Sequence, residues 1–479
     1  MKQQRARFKI AAVCLFGLFF LLALYGGYSV VHYGNRWFAT NKNRRVAAQK
    51  ENVIAGDILD RTGRVLATTD ASGARVYQSS AAARRAVVHV LGDGEGQVSN
   101  GVEDFQASYL YGFQASFPEL VSALLSGESR RGDTVQLTLS ASLCEKAVEV
   151  FMRLQPGKHG AVIVLNAKTG ELLCEVSLPG FDPDHITDET KNDSGQPFWN
   201  RAVQALYPPG STFKTVTAAS AIENIAGVED HIFYCTAEPL YFDEHAISDY
   251  QGEKHGSIHL QEAFAESCNK TFASIAVNLG QTVLQRTAES FGFNENFLFR
   301  DLVVENSRFP RSSSEWELAA CGFGQSSIVA TPMHMCLVAA AVANRGVMME
   351  PRLLRAVTAP GGKTRITFSS QIYRTAMSGE IAARLKEYMR AVVTSGTGKR
   401  AAVSGLRVCG KTGTADSTQN GKPIAYGWFT GFADADQLPL AVCVVVENIG
   451  SKASGGSTAA PIASELLAWC AQHRNELVD

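Results

Sequence analysis

An uncharged, apolar run from Ile10 to Val31 sets the first limit on how this chain can fold. As a helix, the run is long enough to cross a hydrocarbon core of about 30 Å. A buried core helix would normally show a polar face, and a cleaved signal peptide would have a shorter apolar stretch before a small-residue cleavage site. We therefore predict an uncleaved, single-pass membrane anchor at residues 10–31, after a cytoplasmic tail at residues 1–9.

Basic residues flank the apolar run on both sides, so the positive-inside rule is nearly balanced. They are Lys2, Arg5, Arg7 and Lys9 before the run, and Arg36, Lys42, Arg44 and Arg45 after it. The leading tail is too short to form a domain. We therefore predict that the N-terminus lies inside and that the rest of the chain is extracytoplasmic.

Length and composition leave a wide choice of globular folds. The 479 residues allow two to four ordinary domains, or one large domain with a smaller companion, and 46% of them are hydrophobic. The formal net charge of −1 gives no overall attraction to nucleic acid. A nucleic-acid-binding function is not predicted.

The ten cysteines point to no obvious metal or disulfide framework. Cys14 lies in the apolar run, which leaves an odd number beyond it. No Cys-x-x-Cys occurs, and cysteines and histidines do not show the usual zinc spacings. We expect most of the cysteines to be small buried hydrophobes, and we predict no metal and no cofactor.

Hydrophobic patterning divides the rest of the chain into two parts. Residues 32–150 are predicted to form a small mixed domain, which opens with a polar linker or short helix at residues 32–52 and a hairpin at Asp60–Gly63. Residues 151–479 are predicted to form a larger α/β domain, an antiparallel sheet flanked by helices. Its predicted elements are a hairpin around 168–170, helical material from Ser211, at 258–293 and at 330–344, strands at 411–415, 425–433 and 438–448 with a turn at Asn420-Gly421, and a terminal helix at 461–474 that starts at Pro461.

Ser211 and Lys214 form a Ser-x-x-Lys pattern directly after Pro208, Pro209 and Gly210. The two prolines and the glycine resist helix, and the following residues favour it, so Ser211 is predicted at a helix N-terminus with an unpaired backbone N–H. Residues three apart share a helix face. A desolvated neutral lysine there can take the serine proton, and the N–H can stabilise an oxyanion. An isolated match is more often a serine cap beside a surface lysine.

Two further patterns make the catalytic interpretation the stronger one. Ser267-Cys-Asn269 offers a hydroxyl for proton relay and an amide to orient a substrate peptide. Lys411-Thr412-Gly413-Thr414 opens a predicted strand, where the glycine permits close approach and the hydroxyls can bind a carboxylate. In this order, the three patterns are typical of penicillin-recognising serine enzymes.

Three other matches in the sequence are interpreted as structural. Lys168-Thr-Gly170 precedes the serine and lies at a hairpin turn, and Ser267-Cys-Asn-Lys270 is better used as Ser-x-Asn than as a second nucleophile. GLRVCGKT at residues 405–412 fits the phosphate-loop pattern, but a phosphate loop runs into a helix. The residues after Thr412 predict strand and turn instead, so nucleotide binding is not expected.

The sequence resembles the class B penicillin-binding proteins, and in particular their compact, penicillin-binding-protein-A-like members. The resemblance covers most of the chain beyond the anchor. It rests on GDILDRTGRVLA (56–67), NRAVQALYPPGSTFK (200–214), CGFGQSSIVATPMHMCLVAAAVANRG (321–346), SGTGKRA (395–401) and KTGTA (411–415).

The resemblance implies a peptidoglycan D,D-transpeptidase that acts on stem peptides ending in D-Ala-D-Ala and is trapped by β-lactams. It implies that Ser211 is the nucleophile and Lys214 the base, and that Ser267 and Asn269 take part in proton relay and peptide binding. The resemblance gives Lys411, Thr412 and Thr414 the role of binding the terminal carboxylate. It places the oxyanion hole at the backbone N–H groups of Ser211 and Thr414.

The resemblance also implies a separate polymerase partner, because no stretch is left for a glycosyltransferase domain. A membrane glycosyltransferase of the shape, elongation, division and sporulation family is the expected partner. Two positions depart from the family pattern: Ala55 stands where the first motif usually has arginine, and Ser140 where aspartate is frequent. The alternatives are a serine β-lactamase, a β-lactam sensor and a non-catalytic scaffold of cell division.

Overall fold

The computed structural model describes residues 2–38, 50, 52–126, 129–419, 421–434 and 438–478. Helix α1, Lys2–Phe38, contains the segment Ala6–Ser29, which is long and apolar enough to cross a membrane, with a mean hydropathy of 2.3. No residue of its most apolar window is buried against the rest of the described chain. One apolar N-terminal helix is therefore confirmed. Most of the predicted linker, residues 39–49 and 51, lies outside the described residues.

The N-terminal part contains a mixed six-stranded sheet in the order β15-β14-β6-β2-β3-β4. Its strands are β2 (Ile58–Leu59), β3 (Val65–Thr69), β4 (Arg75–Tyr77), β6 (Thr134–Leu137), β14 (Leu354–Thr358) and β15 (Thr364–Thr367). The predicted hairpin at residues 60–63 is confirmed, since β2 and β3 pair antiparallel. Two strands of this sheet come from the later part of the chain, because β14 pairs with β6. The domain boundary near residue 150 remains a prediction.

Helices pack around this sheet and join it to the rest of the molecule. They are α2 (Ala81–Leu91), α3 (Val102–Phe105), α4 (Ala107–Leu110), α5 (Phe117–Ser126) and α6 (Ala141–Leu154). Ser140, one of the two unusual positions, caps α6 by accepting the N–H of Leu143. Ala55, the other, is buried. Neither departure interrupts the fold of this region.

The larger part is built on a five-stranded antiparallel sheet in the order β17-β18-β19-β7-β8. Its strands are β7 (Gly160–Asn166), β8 (Leu172–Leu178), β17 (Val408–Gln419), β18 (Lys422–Ala433) and β19 (Leu440–Val446). Every residue of β7, β8 and β19 is buried, so helices must cover both faces of the sheet. The predicted hairpin at residues 168–170 and the predicted late strands are confirmed. Asn420 of the predicted turn lies outside the described residues.

The covering helices carry or support most of the sequence patterns. The α-helices are α7 (Asp188–Lys191), α8 (Lys214–Asn224), α9 (Leu260–Ala265), α10 (Asn269–Ser290), α11 (Glu315–Gly322), α12 (Pro332–Ala343), α13 (Gly379–Thr394), α14 (Gly455–Gln472) and α15 (Arg474–Leu477). Short 3₁₀ turns occupy Gly210–Phe213, Tyr250–Gly252 and Lys399–Ala401. The remaining strands form two-stranded pairs: β1 (Val53–Ile54) with β5 (Arg130–Arg131), β9 (Phe233–Cys235) with β12 (Gly256–Ile258), β10 (Leu240–Phe242) with β11 (His245–Ile247), and β13 (Val347–Met349) with β16 (Ile372–Thr375). The prediction of an antiparallel sheet flanked by helices is confirmed.

Two predicted helix boundaries differ from the structure. The terminal helix starts at Gly455 rather than at Pro461, because a capping box of Ser454 and Ser457 begins it and Gly455 packs against the carbonyl of Trp428. The segment 258–293 is not helical throughout: Ser267, with φ +63°, separates α9 from α10, and Gly280, with φ +74°, kinks α10. Local helix propensity did not reveal either packing constraint.

A buried ion cluster joins the two parts of the molecule. Glu171 lies 2.8 Å from Arg352 and 3.8 Å from Arg61, and all three side chains are buried. Arg61 follows β2 and Glu171 lies in the hairpin β7-β8, so the cluster links these two segments; Arg61 also donates to the carbonyl of Thr138 after β6. Removing one charge from such a cluster leaves the others without compensation in a poorly solvated site.

We therefore expect Glu171→Gln to lower the free energy of unfolding of the full chain in detergent by about 3 kcal/mol, because two buried guanidinium groups lose their carboxylate. Denaturant titration with a fluorescence readout measures this. Glu149→Gln is the matched control: Glu149 pairs with Lys146 at 2.8 Å on the surface, so its replacement is expected to cost about 0.5 kcal/mol or less. Equal losses in the two variants would contradict the role given to the cluster.

Candidate active site

The turn that carries Ser211 packs tightly on the edge strand of the central sheet. Gly210 has φ +53°, and its N–H donates to the carbonyl of Gly324 at 2.9 Å. A Cβ at Gly210 would lie 2.7 Å from the carbonyl oxygen of Thr414, and one at Gly413 would lie 3.0 Å from that of Pro209. Glycines on both sides therefore let the serine turn approach strand β17.

Ser211 lies in a 3₁₀ turn, and the α-helix proper begins at Lys214. This differs from the prediction of a helix that starts at Ser211. The backbone N–H of Ser211 has no backbone acceptor among the described residues. Ser211 is half-buried at the wall of a cavity, whereas Lys214 is fully buried. The structure thus gives the serine access to a ligand and withdraws the lysine from water.

Lys214 is held by the loop that contains Ser267. Its Nζ lies 2.5 Å from the carbonyl oxygen of Ser267, 3.2 Å from Ser267 Oγ and 2.8 Å from Asn269 Oδ1. The described hydrogen bonds include none between Lys214 and Ser211. The first two sequence patterns therefore meet directly through the lysine.

Ser267 connects Lys214 to the third pattern. Lys411 Nζ lies 2.9 Å from Ser267 Oγ and 3.1 Å from the carbonyl oxygen of Thr412. Ser267 Oγ is thus within hydrogen-bond distance of two buried amines. The left-handed backbone of Ser267, φ +63°, is uncommon for a residue with a side chain. It places the hydroxyl between the two lysines.

Burial changes the charge that these lysines can carry. It lowers the pKa of Lys214 to about 7, although Cys268 and Asp249 act in the opposite direction. Burial also lowers the pKa of Lys411 well below its ordinary value, with the nearby charge of Lys214 as the second cause. Burial and repulsion therefore both disfavour the state in which the two amines are protonated together. A proton can be shared through Ser267.

Thr412 and Thr414 lie on the same strand as Lys411 and line the cavity. Thr412 Oγ1 is 2.6 Å from Thr397 Oγ1, and Thr414 Oγ1 accepts the N–H of Gly455 at 3.3 Å. Because it accepts there, the hydroxyl of Thr414 keeps its own proton for a ligand. This edge of the cavity presents hydroxyl groups beside a lysine, a set suited to a carboxylate.

The cavity has a volume of about 790 Å³ and is lined by residues from all three sequence patterns. Among the lining residues are Ser211, Ser267, Asn269, Thr412 and Thr414. This volume suits a peptide-sized or drug-sized ligand. The fold therefore brings together the serine, lysine, asparagine and threonine groups that the sequence predicted as a site. Their individual roles remain predictions.

Three residues near the site were missed by the sequence reasoning. Asp249 accepts the backbone N–H of Asn269, Gly324 holds the serine turn, and Thr397 pairs with Thr412. Gly324 and Thr397 lie inside the quoted segments CGFGQ and SGTGKRA, so the signal was present but unassigned. Nothing in the sequence around Asp249 marked it.

The competing motif matches occupy structural positions. Lys270 Nζ donates to the carbonyls of Thr236 and Glu238 and is salt-bridged to Asp249, so the second Ser-x-x-Lys match does not pair Ser267 with Lys270. Residues 405–412 lead into strand β17 rather than into a helix. The phosphate-loop interpretation is therefore excluded by the local structure.

Comparison with known proteins gives the family. Residues 160–468 match the penicillin binding protein transpeptidase domain. The chain is 30% identical to the peptidoglycan D,D-transpeptidase PbpA of Mycolicibacterium smegmatis, over 78% of this chain and 80% of the relative.

Similar solved structures support the same family. Penicillin-binding protein A of Mycobacterium tuberculosis, as a ceftriaxone acyl-enzyme, superimposes with a TM-score of 0.80 at 26% identity, covering 90% of this chain and 99% of that one. The D,D-transpeptidase domain of a peptidoglycan glycosyltransferase from Eggerthella lenta gives a TM-score of 0.75 at 28% identity, covering 88% and 99%. The chain belongs to the penicillin-binding protein transpeptidase family, among its class B members.

Replacement of Gly324 tests whether its close packing fixes the serine turn. A Cβ there would lie 2.0 Å from the carbonyl oxygen of Gly210, in a backbone with φ +79°. We expect Gly324→Ala to speed amide hydrogen exchange at residues 207–216 by at least about tenfold, because the turn must move away from the segment that follows α11.

Gly405→Ala is the matched control. Gly405 has the same φ of +79°, but a Cβ there meets nothing within 4 Å, so it carries the backbone strain without the collision. Exchange at residues 207–216 is expected to stay at the wild-type rate in this control. Unchanged exchange in Gly324→Ala would show that the contact does not fix the turn.

Proposed function

We propose that this chain is a membrane-anchored peptidoglycan D,D-transpeptidase that forms an acyl-enzyme on Ser211. The single observation that carries the proposal is the meeting of three sequence patterns at one cavity, where Ser267 Oγ lies between Lys214 and Lys411. The family and the acyl-enzyme structures of its relatives support the same reaction. A D,D-carboxypeptidase side activity is consistent with this chemistry, since water can replace the acceptor amine.

Lys214 is suited to act as the base in acylation. As a neutral amine it has two N–H groups, which match its two short contacts to the Ser267 carbonyl and Asn269 Oδ1. Its lone pair then remains to accept the hydroxyl proton of Ser211. Ser211 Oγ attacks the carbonyl carbon of the penultimate D-alanine, and the bond to the terminal D-alanine breaks.

Ser267 is suited to carry the proton to the leaving amine. Its hydroxyl lies within reach of both lysines, so it can receive a proton on one side while it donates on the other. The expelled D-alanine leaves with its amine protonated. The amine of a neighbouring stem peptide then attacks the acyl-enzyme, forms the cross-link and releases Ser211 as a hydroxyl.

The edge strand is suited to bind the reacting peptide. A protonated Lys411 would use two N–H groups on Ser267 and the Thr412 carbonyl, which leaves its charge close to an incoming carboxylate. Thr412, Gly413 and Thr414 follow Lys411 on the same strand. The backbone N–H groups of Ser211 and Thr414 are the proposed oxyanion hole, because the turn of Ser211 packs against Thr414.

The proposal also covers the orientation of the chain in the membrane, its polymerase partner and the roles of its two domains. Helix α1 holds the chain in the membrane, and the transpeptidase domain, residues 151–479, lies outside the cytoplasm, where stem peptides are cross-linked. Residues 32–150 form the domain between anchor and enzyme. A membrane glycosyltransferase of the shape, elongation, division and sporulation family supplies the glycan strands.

Reaction with benzylpenicillin tests the nucleophile. We expect the full chain in detergent to form a stable one-to-one adduct by intact mass over hours, with the label on Ser211. Ser211→Ala is expected to form none, and Ser326→Ala, a second serine that lines the same cavity, is the control and is expected to acylate normally. An adduct that turns over rapidly would indicate a β-lactamase, and a folded protein that never acylates would indicate a scaffold.

Peptide transfer to an amine acceptor distinguishes a transpeptidase from a β-lactam sensor. A donor peptide ending in D-Ala-D-Ala, incubated with an amine acceptor, is expected to release D-alanine and give the cross-linked peptide by mass spectrometry. We expect Ser267→Ala to lower this rate by about 10²–10⁴-fold, since the proton relay is lost. Acylation without any peptide transfer would support the sensor alternative.

The acylation rate is expected to depend on the protonation of Lys214. The neutral amine is the active form, so the rate constant should rise about tenfold per pH unit below pH 7 and level off above it, following a pKa of about 7. Stopped-flow acylation with a chromogenic cephalosporin between pH 5 and 9 measures this. A flat profile would show that Lys214 is not the titrating base.

A further inference from the structure

The helix α5 exposes an apolar side that the proposed reaction does not use. Phe117, Leu124 and Leu125 are 77%, 82% and 81% exposed, and Leu120 and Val121 are exposed as well. The five residues are spaced i, i+3, i+4, i+7 and i+8, so they lie on one side of the helix, which we call the α5 face. We propose that the α5 face docks into the surface of the lipid bilayer that holds the anchor α1.

The opposite side of α5 is fixed to the sheet of the N-terminal part. Glu119 Oε2 accepts the N–H and the hydroxyl of Ser116, which caps the start of the helix. Glu119 Oε1 lies 2.9 Å from Arg365 of β15, and Arg365 lies 2.8 Å from Asp133. Because residues two apart differ by about 200° around a helix, these ion pairs hold the side opposite to Phe117. The α5 face is therefore turned away from the sheet.

A helix of this length depends on cover for its apolar side. With ten residues, α5 is too short to be stable in water on its own propensity. Most of the stability of such a helix comes from burial of the apolar face. The cap and the ion pairs act on the polar side only. The α5 face therefore requires an apolar partner.

A continuous set of contacts connects the anchor to the start of the α5 loop. Helix α1 contacts α3, and Ser29, the last residue of the membrane-length segment, is buried. Lys50 Nζ lies 3.8 Å from Asp104 of α3 and 5.5 Å from the centre of the Tyr111 ring. Tyr111 immediately precedes the loop that carries α5.

The α5 loop leaves and returns at the same place. The carbonyl of Gly112 accepts Arg130 Nη2 at 3.3 Å, so the two ends of the loop are in contact. Arg130 and Arg131 form β5, which pairs with β1, the first strand after the anchor. The loop thus projects from the point where the chain arrives from α1. The bilayer that contains α1 is the apolar phase next to this point.

The residue types favour lipid over a protein partner. The α5 face consists of one phenylalanine and four aliphatic residues, whereas the centres of protein interfaces are enriched in tyrosine, tryptophan and arginine. Helices that lie in the membrane–water interface bury phenylalanine and leucine by about 5–10 Å.

Basic residues near the loop suit anionic headgroups. The side chains of Lys50 and Arg131 are 40% and 45% exposed. Each has one carboxylate 3.7–3.8 Å away, a surface pair of little energy that leaves the charge available to lipid.

Docking of the α5 face would give the N-terminal part a second contact with the membrane. A single spanning helix keeps a domain near the bilayer but does not set its tilt, whereas two contacts do. The inference requires α1 to lie in a bilayer. It does not depend on acyl transfer at Ser211.

Photo-cross-linking tests whether lipid covers the face. The full chain with p-benzoylphenylalanine in place of Phe117 is reconstituted into nanodiscs of phosphatidylethanolamine and phosphatidylglycerol and irradiated. We expect a covalent lipid adduct by mass spectrometry. Tyr234 of β9, which is 74% exposed, is the matched control, and the same replacement there should give an adduct yield at least about tenfold lower.

Two charges on the α5 face test the docking without a cross-link. In nanodiscs, we expect Leu124→Glu with Leu125→Glu to speed amide hydrogen exchange at residues 117–126 by at least about tenfold, because the short helix loses its apolar support. Tyr234→Glu is the control and should leave exchange there at the wild-type rate. Both variants are expected to be acylated by benzylpenicillin as the wild type is, so failure of docking and failure of the proposed reaction are distinguishable.

Three results would overturn the proposal. The first is a lipid adduct at Phe117 that is no more abundant than at Tyr234. The second is a main adduct to another copy of the chain, which would make the α5 face a protein interface. The third is wild-type exchange at residues 117–126 in the variant with two glutamates.

Discussion

The placement of one hydroxyl, Ser267 Oγ, between two fully buried lysines is the contact on which the site depends. In water both amines would be ammonium ions, and neither would accept a proton from a serine. Removal from water lowers the pKa of both amines, and the nearby charge of Lys214 lowers the pKa of Lys411 further. The chemistry is therefore a property of burial rather than of the residue types alone.

That burial requires the whole domain. Lys214 begins a helix that packs beneath the serine turn, while Lys411 lies on the edge strand of a sheet whose interior strands are completely buried. The two elements approach closely only because Gly210 and Gly413 have no side chains. A Cβ at either position would meet the backbone of the other element at 2.7–3.0 Å and force the two elements apart. The close backbone packing and the lowered pKa of the buried lysines therefore depend on the same contacts.

The sequence was informative where a single element carries the signal. Strands β7, β8, β18 and β19 match apolar segments bounded by turns, strand β17 contains the KTGTA segment, and each of the three sequence patterns lies within one short segment. It failed where packing overrides local preference. Helix formers at residues 258–293 predicted helical structure there without a break, whereas Ser267 adopts a left-handed backbone and contacts Lys214 and Lys411. Likewise, Pro461 predicted a helix start that the Gly455 contact moves upstream.

The cysteine cluster marks the other limit of local reasoning, and it bears on the same left-handed residue. The spacing of Cys235, Asp249, His255 and Cys268 matches no short motif. Strands β10 and β11 separate Cys235 from Asp249, a 3₁₀ turn separates Asp249 from His255, and β12 and α9 separate His255 from Cys268. Pairing of strands β9 and β12 brings Cys235 opposite Gly256, the residue after His255, and Asp249 accepts the N–H of Asn269 beside Cys268. An unfavourable backbone conformation persists when its surroundings fix it from several sides. Ser267 is fixed by the contacts of its hydroxyl to Lys214 and Lys411 and by the contact of the next residue, Cys268, with Asp249.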